Sequence, residues 1–157
     1  MMRIENKELF FRYACPCLED RLGKKGKEII EDFVKYGYIP PNLSKLFPTA
    51  FKRMEKIMKK MGKKIADEED IKRYFFEVHN SHLKRLYEST SDRKLKEKAY
   101  SCMVKIGKVL NEKGEVYRVK IDSIGSREIL CKSFLKNIKT GEKVVVHWNY
   151  IVDKVEK

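Results

Sequence analysis

The apolar residues of this chain change period once, near residue 100. Before that point they recur at helical spacing, and after it they alternate as strands do. A chain with such a break folds as helices followed by strands, an α+β arrangement. Its 157 residues suit one domain or two small ones. The expected division is an α-helical domain over 1–98 and a small β-barrel over 101–157.

In the first part, residues 3–14 predict a helix with Ile4, Phe10, Phe11 and Ala14 apolar. Cys15-Pro16-Cys17 interrupts it, because proline disfavours helix in the residue before it. A second helix opens at Asp20 or Gly23, runs to Tyr36 and ends on Gly37 as its C-cap. Pro48 opens a third, with Phe51, Met54, Ile57, Met58 and Met61 on one side. Asp67 caps a fourth, which aligns Ile71, Phe75, Val78, His82 and Leu86. Ser91 caps a last short one. In the second part, strands are expected at 103–110, 116–121, 128–131, 143–148 and 150–155. The turns fall at 111–114, around Gly125 and at 139–142. Several short strands in about 55 residues favour a small closed barrel, which removes exposed sheet edges.

Lys+Arg is 36 against 23 Asp+Glu, a net charge of +13 spread over both parts. That field favours anionic partners without choosing among them. Apolar residues at 42% allow a real core and exclude wholesale disorder. No apolar run approaches the roughly 18 residues of a membrane span. Residues 1–8 lack the apolar stretch of a secretory signal. With four cysteines, the expectation is a reducing, cytoplasmic setting rather than a disulfide framework.

Two stretches of the second part resemble the HypC/HupF family of hydrogenase-assembly chaperones. The first is Cys102-Met103-Val104-Lys105-Ile106-Gly107-Lys108-Val109, whose cysteine, glycine, lysine and valine fall at the family spacing. The second runs from Ile138 through Gly141-Glu142, an apolar strand, Val146-His147, Trp148-Asn149-Tyr150 and Ile151 to Asp153-Lys154-Val155. The family usually has proline where Ile106 stands and carries its cysteine at the mature N-terminus. The resemblance covers about residues 101–156 and does not extend to residues 1–98. It implies an OB-like barrel that binds a HypD-like protein and the precursor of a nickel–iron hydrogenase large subunit. It further implies that Cys102, with His147 as second candidate, holds or hands over an iron fragment together with a partner. The implied role is that of an accessory protein rather than an enzyme. No nucleophile-elbow serine, phosphate-cradling glycine loop or two-histidine zinc motif is present.

The residues themselves leave alternatives open. Thiolate and imidazole both suit iron, but Cys102 can equally be a small buried hydrophobe and His147 a satisfied strand residue. Cys15-Pro16-Cys17 is not the Cys-x-x-Cys of zinc sites. With His79 and His82, three apart on the fourth helix, Cys15 and Cys17 form a candidate zinc ligand set. The other reading is buried thiols and core-edge histidines. Residues 45–64 carry eight basic side chains against one acid, Glu55. Lys52, Arg53, Lys56, Lys59, Lys60, Lys63 and Lys64 form either a phosphate-tracking surface or a solvated helix face. A basic OB-like nucleic-acid-binding protein, using that surface or aromatics such as Tyr117 and Trp148, is therefore the alternative to the chaperone.

Overall fold

The computed structural model describes residues 2–155. The chain forms two compact units, Met1–His79 and Asn80–Lys157. The expected α+β architecture is present, with helices in the N-terminal part and a closed five-stranded barrel in the C-terminal part. No described helix is long and apolar enough to cross a membrane.

The first unit begins with β1 (Arg3–Ile4), where a helix was expected to start at residue 3. This strand pairs in parallel with β2 (Ile65–Ala66), and the pairing holds residues 3–4 extended. Helix α1 (Lys7–Ala14) starts only after Asn6, whose side chain accepts from Leu9 N at 3.0 Å. The Cys-Pro-Cys segment does not break the path into a loop. It tightens it into a 3-10 turn (Cys15–Cys17) that leads into α2 (Leu18–Leu22). Helix α3 (Lys24–Tyr36) ends on Gly37 in the left-handed conformation, as expected for an αL cap. Helices α4 (Leu43–Leu46) and α5 (Pro48–Lys60) follow. On α5, Met54 and Met58 are buried, whereas Met61 is exposed. Phe10 anchors the core, with edge-on contacts to Phe47 at 5.7 Å and Phe51 at 5.2 Å.

Helix α6 (Glu68–Arg73) carries a full capping box. Asp67 Oδ1 accepts from Asp70 N at 2.9 Å, and Asp70 Oδ2 accepts from Asp67 N at 3.0 Å. Lys63 binds both carboxylates. An Asp67→Ala change is expected to cost about 1 kcal/mol, a typical N-cap loss, read as a lower urea midpoint. The chain then leaves the regular helix for a π-helical segment (Tyr74–His79). A π turn inserts a residue into the 3.6-residue repeat, so the expected stripe does not continue. Ile71 and Phe75 are buried, while His82 is exposed.

The second unit opens with α7 (Asn80–Ser89) and α8 (Arg93–Cys102). Asp92, not the expected Ser91, caps α8, accepting from Lys94 N and Leu95 N. The strands are β3 (Lys105–Lys113), β4 (Val116–Ile121), β5 (Glu128–Ser133), β6 (Lys143–His147) and β7 (Tyr150–Lys154). They close in the order β3-β4-β5-β7-β6. The β5–β7 pair is parallel and the other pairs are antiparallel. Val109, Val119, Ile121, Val144, Val146 and Ile151 fill the interior, with Cys131 among them. Gly107 lies on β3 beside β4; a Cβ there would sit 2.7 Å from Lys120 O.

Candidate metal and partner site

Cys102 is the last residue of α8, and the chain must turn there to enter β3. Several bonds hold that turn. Asn80 on α7 clasps it from both sides, donating from Nδ2 to Val104 O and accepting from Val104 N, each at 2.8 Å. Tyr100 donates its hydroxyl to Ile124 O at 2.9 Å. The Arg127 guanidinium lies 3.9 Å over the Tyr100 ring. Arg127 also forms a forked pair with Glu97 at 2.7 and 3.0 Å.

Lys105, which sequence reasoning treated only as part of a family motif, is fully buried here. Its ammonium donates to Tyr100 O and Ser101 O at 2.9 Å and to Met103 O at 2.7 Å. A cation there complements the negative end of α8. Burial pushes the Lys105 ammonium down to about 8, and the nearby Cys102 and Cys131 thiols oppose that shift. The group is therefore charged at neutral pH. A signal for it existed in the sequence. Lys105 has the same strand parity as Gly107 and Val109, the inward positions of β3.

His147 is the last residue of β6 and is fully buried. The following residue, Trp148, adopts a φ of 55°, the left-handed region that costs a bulky residue strain. Its backbone N–H donates to Ser101 O at 2.9 Å, which fastens the β6–β7 turn to the end of α8. The Trp148 indole N–H is buried and makes no hydrogen bond among the described residues. These constraints bring Cys102 Sγ to 3.8 Å from His147 Nε2, although the two are 45 residues apart in the chain. Metal–sulfur and metal–nitrogen bonds at a tetrahedral angle place the two donor atoms roughly 3.5 Å apart. The pair is thus near chelating distance within one unit.

No family model, curated protein or solved structure matches this chain.

Cys131 is buried in the barrel, and burial pushes its thiol up to about 12. In the helical unit Cys15 is fully buried, and its thiol is raised well above the ordinary range by desolvation. Cys17, two residues on, is only half-buried, and its Sγ lies within 4.8 Å of a His79 ring nitrogen. His82 lies on α7, in the second unit. On the basic surface, Lys52, Lys56, Lys59, Lys60 and Lys64 are exposed and Arg53 is half-buried. Lys63 is engaged with Asp67 and Asp70, and those two carboxylates raise its pKa. Lys59 and Lys60 stand in the last turn of α5, where cations offset the helix dipole.

Proposed function

We propose that this chain is a non-enzymatic accessory protein that binds partner proteins through its barrel unit and carries an iron fragment on Cys102 and His147. The 3.8 Å approach of thiol to imidazole carries this reading. A soft thiolate and an imidazole together suit iron in transit. Two protein donors do not saturate it, so a partner supplies further ligands and can take the cargo over. The lock of α8 and the β6–β7 turn around this pair supports a preorganised ligand set. The HypC/HupF resemblance names the partner class, a HypD-like protein or a hydrogenase large-subunit precursor.

The nucleic-acid reading has one observation of its own. On the outer side of β4 and β5, Arg118 faces the exposed Leu130, with Lys120 and Lys132 on the same face and Glu128 there pairing with Arg118 at 3.6 Å. An OB-like barrel with a basic outer face suits single strands.

One capture experiment separates the two. Tagged wild-type and Cys102→Ala proteins are recovered from an oxygen-free native extract, with and without nuclease. The chaperone reading predicts a HypD-like protein or hydrogenase subunit, and iron, with wild type. Recovery with Cys102→Ala falls about tenfold or more, the equivalent of 1.4 kcal/mol, at an unchanged melting temperature. Equal recovery with both proteins defeats the role of Cys102. Nucleic acid retained at low salt and lost at high salt, with no protein partner, defeats the chaperone reading altogether.

A further inference from the structure

The helical unit holds a soft-ligand pair of its own, Cys17 and His79. Both members sit on departures from regular helix. The 3-10 turn Cys15–Cys17 points successive thiols differently, so Cys15 is sealed in the core while Cys17 reaches the half-buried surface. The π-helical segment Tyr74–His79 ends on the other member. In structures generally, single-turn π segments collect at functional sites, since the extra residue re-aims a side chain at a cost in backbone geometry. The rings of Phe75 and Tyr74 flank the His79 imidazole at centroid distances of 5.6 and 6.5 Å. The Cys17 and His79 donor atoms then lie within 4.8 Å of each other. Ligands sharing a tetrahedral ion need roughly 3.5 Å, an adjustment that side-chain rotation can provide.

We propose that Cys17 and His79 supply two ligands of a binding site for a borderline-soft divalent cation of the zinc class. One thiolate and one imidazole match the donor preference of zinc and cobalt. Two ligands by themselves do not make a closed structural site. Of the four residues that sequence spacing offered, geometry thus selects Cys17 over Cys15 and His79 over His82.

The test is a titration of the reduced, full-length, metal-free protein with Co²⁺, in wild type and in four single variants. Wild type develops sulfur-to-cobalt charge-transfer absorption. In Cys17→Ser that absorption falls relative to wild type, and affinity drops about tenfold or more. His79→Asn loses affinity by a similar factor, as loss of a metal ligand or its support does. Cys15→Ala and His82→Asn titrate as wild type. Cys17→Ala serves as a second probe of that thiol, and melting temperatures confirm that each variant is folded. The proposal is overturned if folded Cys17→Ser and His79→Asn titrate as wild type. It is equally overturned if Cys15→Ala or His82→Asn, rather than those two, abolishes binding. Because Cys102 and His147 are intact throughout, failure here leaves the barrel reading to its own capture experiment.

Discussion

Gly26→Ala destabilises the helical unit by about 3 kcal/mol or more, the upper end of ordinary overpacking. Helix propensity predicts the opposite sign, since alanine is better than glycine inside a helix by about 1 kcal/mol. Position 26 lies in α3, and its α-carbon packs directly on α2. A Cβ there would stand 2.0 Å from Leu18 O, 2.4 Å from Leu18 C and 2.9 Å from Glu19 N. All three are backbone atoms, so no rotamer relieves the clash. The two helices must move apart, which loosens the buried Leu18 and Ile30. Urea denaturation of the variant checks this. A midpoint at or above wild type would mean that α2 shifts at little cost and that the close approach is not a constraint.

The second large effect is in the pH dependence of the barrel unit. The folded state holds the Lys105 proton with a pKa of about 8 against an ordinary 10.5, chiefly because of burial. Between these values the unfolded chain binds more protons than the native one, so stability rises with pH across that window. At 1.36 kcal/mol per unit the rise attributable to Lys105 is about 3 kcal/mol. Lys105→Met has no proton to lose and should show a flatter profile from pH 8 to 10.5. At pH 7 the variant also forfeits the donors to Tyr100 O, Ser101 O and Met103 O. An unpaired buried carbonyl costs about 1–3 kcal/mol, so the variant is less stable there despite losing a buried charge. Denaturant unfolding of both proteins from pH 7 to 10.5 gives the comparison. Parallel profiles would show that the carbonyl cage holds the proton as firmly as water does.

The ligand pairs respond to different parts of the chain's chemistry. Cys102 and His147 are held by the α8–β3 turn and the β6–β7 turn. Cys17 and His79 are held by a 3-10 turn and a π segment.

Much of this fold is legible in the sequence where a period is long enough to read. Helices α3 and α5 follow from Ile30, Phe33, Met54 and Met58 at helical spacing, with Gly37 and Pro48 at their ends. The strand at Val116–Ile121 follows from alternation, and Gly141 marks the turn before β6. The shorter elements carry no period. Two-residue strands at Arg3–Ile4 and Ile65–Ala66 exist only because each supplies the other's hydrogen bonds across some 60 residues. The π segment leaves no compositional trace, yet it ends the stripe predicted through His82.

What the sequence by itself determined is the order of helices before strands, the caps and turns, and the residue types able to bind a soft metal. Those depend on local sterics and on the spacing of apolar side chains, which one chain displays directly. Only the tertiary structure decided barrel closure, the burial of Lys105 against three carbonyls, and the burial of Cys15 beside a half-buried Cys17. It also brought Cys102 within 3.8 Å of His147. These are decided by contacts between residues far apart in the chain, and by which atoms water reaches once the chain is packed. Neither has a signature in the spacing of residues.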